Sequence, residues 1–273
     1  MQIGISQCLL GEHVRYDGGH RKADFLLNIF DGLVELVPVC PEVEVGMGTP
    51  REPVQLRDAR MIGAESGRDW TDDMQTYAKS RVETLGGLSA YILKSRSPSC
   101  GLDEGLFAKA LRDRFPVMPM EQEDSLNDPK LLDNFIERTF AYRRLRTFLL
   151  ARRSVGELSL FHAQSRLQLE VHEPGSYEQM CSLVGPFDTA AYQARFLSVI
   201  GVQITPQRQA EIFDELETEL GIDLGVDIDG SDVIGGLRQL KEHVDKHKPP
   251  KLYGQTYLKT DDSELILRQR ARL

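Results

Sequence analysis

Three cysteines stand in loop-forming sequence: Cys8 in ISQCLLG, Cys40 in VPVCPE and Cys100 in KSRSPSCG. Each can be a buried thiol, a metal ligand or a nucleophile. A structural zinc site takes four ligands, commonly from paired C-x-x-C segments, and this chain has no such pair. Iron–sulfur clusters are held by thiolates, usually four. Three thiolates on a 4Fe–4S cluster leave one iron not ligated by protein, free to act as a Lewis acid instead of an electron carrier. The competing reading is three unrelated buried thiols, since free cysteine is among the most buried residue types. Separations of 32 and 60 residues do not choose between the two. Cys181, inside the helical pattern SYEQMCSLV, reads as a core residue.

To converge, the three cysteines need elements that bring distant chain positions together. Residues 1–120 alternate short apolar strands with helical patterns, which predicts an α/β fold with an open, Rossmann-like sheet and flanking helices. Strands are expected at Ile3–Ser6, Leu33–Val39, Ala90–Lys94 and Val117–Met120, with a hairpin between Val54 and Ile62. Helices are expected over about 71–85, capped by Asp69 or Thr71, and from Glu104 to Phe115, where Pro116 ends the run. Cys8, Cys40 and Cys100 then follow three of the strands. In open α/β sheets, ligands bind beyond the carboxyl ends of strands, where strand order reverses. From residue 127 onward the periodicity is helical, over about 128–153, 155–171, 175–184, 188–200, 206–220 and 231–246, so a smaller all-α domain follows. The boundary is placed in the long 128–153 segment, giving domains 1–145 and 146–273.

With 273 residues, 41% hydrophobic and 27% charged, the chain has the composition of a globular protein. No apolar run approaches the ~20 residues that span a bilayer. The N-terminal stretch lacks the basic-then-apolar pattern of a secretory signal, so a cytoplasmic protein is expected. A net charge of −9 argues against a generally basic nucleic-acid coat. The charge is uneven, however. Residues 138–150 carry four arginines and no acid.

The segments IGISQCLLGEHVRYDGGHRK, VPVCPEVEVGMGTPREP and KSRSPSCG resemble the thiouracil desulfidase family, in the family's order and over residues 1–145. The resemblance implies an α/β domain whose 4Fe–4S cluster sits on Cys8, Cys40 and Cys100, with one iron unligated by protein, and which removes sulfur from thiolated pyrimidines. It also assigns Glu42 and Ser97 as the acid–base and substrate-handling pair. Read as bare residues, Glu42 can instead serve only to pair with Arg51, and Ser97 only to close a turn before Pro98. Arg51 is expected to orient Glu42. One departure stands out. After KSRSPSCG the chain passes almost directly to LDEGLFAKAL, where related domains carry a longer excursion.

The second half, with SLFHAQSRLQLEVHEPGSYEQM and the later KLYGQTYL, is similar to the helical domain fused to this α/β domain in RNA 4-thiouridine desulfidases. That implies thiolated tRNA as substrate. Candidate substrate and RNA contacts are Arg15, Tyr16 and Asp17 after Cys8, Lys94 with its neighbours Ser95 and Arg96, Arg143 and Arg144 in the basic segment, and His162 with Arg166 one helical turn on. The basic run continues to Arg152 and Arg153, and a second group spans Lys241–Lys259 beside Tyr253 and Tyr257. A solvated helix pairing its arginines with acidic neighbours explains the basic segment equally well. The expected function is conversion of 4-thiouridine in tRNA to uridine with release of sulfide. Alternatives are the same chemistry on free thiouracil or a thionucleoside, a non-catalytic RNA-binding protein stabilised by its cluster, and a protein with inert cysteines. No membrane association and no obligate protein partner are expected.

Overall fold

The computed structural model describes residues 1–151, 154–226, 233–249, 252, 255 and 262–272. It divides into two compact units, Met1–Phe135 and Ile136–Leu273. The division falls within the long helix expected to hold the boundary, earlier than residue 145.

The N-terminal unit is built on β1 (Gln2–Ser6), β2 (Glu35–Val39), β5 (Tyr91–Leu93) and β6 (Met120–Gln122), paired in parallel in the order β2-β1-β5-β6. A second, antiparallel sheet is the hairpin β3 (Val54–Arg57) and β4 (Arg60–Gly63). Parallel strands packed on both faces read as near-continuous apolar runs. Ile3, Ile5, Tyr91, Ile92 and Leu93 are accordingly buried. β2 lies at the sheet edge, where Pro38, having no N–H to donate, is tolerated. Gly4 has a packing reason: a β-carbon there would stand 2.3 Å from the ring of Tyr91.

Helices α1 (Asp24–Phe30), α2 (Pro41–Glu44), α3 (Thr71–Glu83) and α4 (Leu106–Arg114) complete the unit. α3 and α4 pack on each other, and Phe107 of α4 meets the rings of Tyr77 and Tyr91. The expected strand at Val117–Met120 is displaced. Residues 116–118 make a turn, with Met118 N donating to Phe115 O at 3.1 Å, and the strand begins only at Met120. Its residues Glu121 and Gln122 are polar because β6 is an edge strand, which hid them from an apolar pattern.

The C-terminal unit is helical. α5 (Pro129–Leu150) begins in the first unit and enters the second. There follow α6 (Val155–Gln164), α7 (Arg166–His172), α8 (Ser176–Val184), α9 (Thr189–Ile200), α10 (Pro206–Leu220), α11 (Val233–His247) and α12 (Asp262–Arg272). Caps set several starts. Ser154 and Glu157 form a reciprocal capping box on α6, Asp188 caps α9, and Thr205 caps α10 with Pro206 in its first turn. The single helix expected over 155–171 is broken at Ser165, whose hydroxyl donates to Phe161 O at 2.8 Å and competes with the helical ladder. Helices α1, α2 and α12 were not anticipated. Among the described residues no helix is long and apolar enough to cross a membrane. Arg152, Arg153, Tyr253, Tyr257, Lys259 and most of KLYGQTYL lie outside the described residues.

A polar network is buried in this unit. Glu137 bonds His172 at 2.9 Å and Gln168 at 3.0 Å, and pairs with the buried Arg268 at 3.3 Å. Burial opposes the Glu137 charge, but Arg268, His172 and the hydrogen bonds from His172 and Gln168 outweigh it and hold the carboxyl well below its ordinary 4.5. Burial dominates at Glu264, which is shifted up despite Arg144 and Arg268 and so opposes the trend. A carboxyl depressed in the folded state contributes stability that is complete above the unfolded value and is lost as pH falls below it. Glu137→Gln is therefore expected to destabilise the helical unit by about 3 kcal/mol at neutral pH, with the gap to wild type closing below about pH 4.5. Urea unfolding followed across pH measures this, and a gap constant with pH would contradict it.

Candidate active site

The strand order does what three distant cysteines need. β2, β1 and β5 are adjacent, and Cys40, Cys8 and Cys100 follow them respectively. All three line one cavity of about 290 Å³, together with Glu42, Ser97, Ser99, Arg51, Arg15, Tyr16, Lys94 and Arg96. All are free thiols. Burial, then the nearby Cys40, pushes the Cys8 thiol up to about 11. Burial likewise raises Cys40 and Cys100, and the charges of Cys8 and Cys40 are felt at Cys100. The three sulfurs thus share one low-dielectric basin. Among the described residues, no three His, Cys, Asp or Glu side chains are gathered tightly enough for a single metal ion. Thiolates are the donors that iron–sulfur clusters take, and the three thiols line one cavity.

Each cysteine is placed by local structure. Cys8 lies in the one-turn 3₁₀ segment Gln7–Leu10 directly after β1, closed by Gly11 at φ 93°. Its carbonyl accepts from Arg21 N at 2.9 Å, which folds the following loop back over it. Cys40 precedes α2, whose first residue is Pro41. Its thiol stands 3.8 Å from Val14 O. Cys100 ends a tight turn organised by Ser97, whose Oγ accepts from Ser99 N (3.3 Å) and Cys100 N (3.1 Å). The tight passage from Cys100 into α4 needs Gly105: a β-carbon there would stand 2.5 Å from Ser99 O and 2.7 Å from Gly101.

Glu42 is held between a cation and two hydroxyls. Its Oε2 accepts from Arg51 Nε at 3.1 Å and pairs with Arg51 Nη2 as well. Its Oε1 accepts from Ser99 Oγ at 2.6 Å, while Ser97 Oγ is more distant at 3.5 Å. Arg51 also donates to Val14 O (3.0 Å) and Gly48 O (2.8 Å), so one guanidinium ties together three loops. The expected orientation of Glu42 by Arg51 is present. Ser99 was missed. It lies in an alternating Ser-x-Ser-x-Ser run, and spacing alone does not say which hydroxyl meets the carboxylate.

The remaining expected residues separate. Arg15 and Tyr16 line the cavity, and Tyr16 keeps 41% of its surface exposed at the mouth. Asp17 does not line it. Its Oδ1 accepts from Gly19 N at 3.0 Å and closes a turn. Lys94 lines the cavity, but its ammonium donates to Ser95 O (3.1 Å), Ser95 Oγ (2.9 Å) and Glu123. Those contacts use its three donors, so it is committed to the loop. In the helical unit, Arg143 is exposed on α5, whereas Arg144 turns inward to Glu264 (2.7 Å) and Gln168 (3.4 Å). His162 is buried and does not form a surface with Arg166. Its Nε2 donates to Tyr177 O and its Nδ1 accepts from Tyr192, each at 3.1 Å. The break at Ser165 puts Arg166 on the next helix, exposed and 5.3 Å above the Tyr177 ring. Cys181, expected in the core, is exposed on α8 beside His162 at 3.6 Å.

The Arg51–Glu42 pair is nearly sealed, with 6% and 12% of the two side chains exposed. Removing one member of such a pair strands the other charge. Arg51→Met is expected to cost the α/β unit about 3 kcal/mol, and Arg51→Met with Glu42→Gln clearly less than the sum of the two single changes. A denaturation double-mutant cycle measures the coupling, and strict additivity would show that the pair does not organise the loops.

The family model for 2-thiouracil desulfurase matches residues 3–123. The uncharacterized protein YbbK of Bacillus subtilis (strain 168) is 34% identical over 113 residues, which cover 36% of this chain and 72% of YbbK. Among solved structures, the 4Fe-4S-dependent thiouracil desulfidase TudS is similar at 29% identity, over 46% of this chain and 93% of that one, with a TM-score of 0.39. The family match ends at residue 123 and leaves the helical unit outside it. Through its N-terminal α/β unit, the chain belongs to the 2-thiouracil desulfurase family.

Proposed function

We propose that the protein is a non-redox desulfidase that converts a thiolated pyrimidine, 4-thiouridine of tRNA in preference to free thiouracil, into the oxygen analogue with release of hydrogen sulfide. Cys8, Cys40 and Cys100 would hold a 4Fe–4S cluster with one iron not ligated by protein. The observation that carries this reading is the convergence of those three free thiols, from three adjacent strand ends, on the cavity that also holds Glu42 and the two serines. When bound, the cluster would supply a Lewis-acidic iron able to polarise the carbon–sulfur bond.

The chain's own residues account for the rest. Val14, Val39, Pro41, Pro53, Val54 and Pro98 line the cavity with apolar surface suited to a flat heterocycle. Glu42, with Oε2 anchored by Arg51, presents Oε1 to the same space as a base for the attacking water. Ser97 and Ser99 stand at that oxygen and are placed to orient or protonate the heterocycle. The water oxygen replaces sulfur at the pyrimidine carbon, sulfur leaves as sulfide, and the net electron count of the substrate is unchanged. Among the basic candidates of the helical unit, Arg143 and Arg166 are exposed.

The test is turnover by protein purified without oxygen, reading sulfide release and loss of thiouridine absorbance from tRNA beside turnover of free 2-thiouracil. Wild type is expected to act on thiolated tRNA with the higher kcat/KM. Cys100→Ser is expected to lose both iron and turnover, and Glu42→Gln to lose at least ~100-fold in kcat while keeping its iron. An active, cluster-loaded Cys100→Ser enzyme would overturn the mechanism, and preference for free thiouracil would overturn the tRNA assignment.

A further inference from the structure

Cys100 is the most enclosed of the three cysteines, and its own turn does not solvate its sulfur. It is buried, whereas Cys8 and Cys40 are partly exposed. The two amide groups beside it are spent elsewhere: Cys100 N donates to Ser97 Oγ at 3.1 Å and Gly101 N to Ser97 O at 2.7 Å. Ser99 Oγ stands 3.8 Å from the sulfur. A hydroxyl has one proton, however, and that of Ser99 goes to Glu42 Oε1 at 2.6 Å. A thiolate placed here needs a donor from outside its own loop, because an unpaired buried charge is costly.

Ser6 is placed to be that donor. It is the last residue of β1, it is buried, and it lines the same cavity. Its Oγ accepts from Lys94 N at 2.9 Å, a bond that ties the end of β1 to the residue after β5 and uses only an oxygen lone pair. The hydroxyl proton is left over, and it hydrogen-bonds the Cys100 sulfur. Holding Lys94 N requires an oxygen acceptor at residue 6; it does not require the proton. We propose that Ser6 is a positioning residue for the desulfidation, acting through Cys100: its O–H group fixes the sulfur and draws electron density from it, so that the iron held by this thiolate is more electron-poor. Hydrogen bonds to ligand sulfurs are among the factors that set cluster reduction potentials. Lower electron density on iron also favours polarisation of a carbon–sulfur bond. The inference rests on the desulfidase reading.

The test compares anaerobically prepared full-length wild type with Ser6→Ala, Ser6→Thr and Ser6→Val, reading iron content, the reduction potential of the cluster, and kcat and KM for 2-thiouracil. Ser6→Thr keeps the donor, and Ser6→Val matches its shape without one. Ser6→Ala and Ser6→Val are expected to hold iron, to shift the potential downward and to lose roughly tenfold in kcat with KM little changed. Ser6→Thr should keep potential and kcat near those of wild type. If the two variants without a hydroxyl lose iron while Ser6→Thr retains it, the proton is needed to hold Cys100 on the cluster, which also supports the proposal. Iron-loaded Ser6→Ala or Ser6→Val with the potential and kcat of wild type overturns it. Loss of iron, or equal shifts, in all three variants overturns it too, because packing then decides. The two readings fail differently. Wild type that binds iron and releases sulfide, with Ser6 variants that match it, removes only the role of Ser6. Wild type that takes up no iron, or releases no sulfide from thiolated tRNA or 2-thiouracil, removes the desulfidase reading.

Discussion

The pairing of β1 with β2 on one side and β5 on the other is the constraint on which the site depends. Parallel pairing points all three carboxyl ends the same way, and reversal of strand order at β1 opens a crevice above them. Residues separated by 32 and 60 positions become neighbours only because of that topology. The sheet is stabilised in turn by burial of Ile3, Ile5, Tyr91 and Ile92, and by a Gly4 that lets the Tyr91 ring approach β1. Apolar packing several residues away from the cysteines thus sets the spacing of their sulfurs.

Above the sheet, electrostatics takes over from packing. Arg51 reaches Glu42, Val14 O and Gly48 O, linking the loop after β1 to the segment after β2. Glu42 then reaches the loop after β5 through Ser99. The three cysteine loops are therefore connected by one guanidinium–carboxylate–hydroxyl chain. A second buried pair, Lys94 with Glu123, anchors the base of the Cys100 loop. Preorganised polar groups of this kind need little rearrangement when charge develops during a reaction.

Much of this was readable in the sequence, and the failures have physical causes. The strands before Cys8 and Cys100 showed as apolar runs because their residues are buried, while the strand before Cys40 is a partly exposed edge strand that still reads as apolar. Arg51 was paired with Glu42 on charge and loop context, and the pair exists. Ser99 escaped notice because alternating serines in a turn differ only in where the chain aims them, and that depends on the Ser97 hydrogen bonds to Ser99 N and Cys100 N. His162 and Arg144 looked like surface cations. Each is drawn inside by a partner distant in sequence: Tyr192 for His162, and Glu264 for Arg144. Cys181 erred the other way, its apolar neighbours suggesting burial that α8 does not provide. Tertiary partners more than twenty residues away leave no local pattern.

The most direct test of the central claim is Mössbauer spectroscopy of anaerobically prepared protein carrying enriched iron, before and after 2-thiouracil is added. The expected result is a cubane spectrum in which one iron differs from three thiolate-ligated irons, and in which only that one changes on addition of the thiobase. Four equivalent irons unaffected by thiobase, or a protein that takes up no iron through these cysteines, would contradict it.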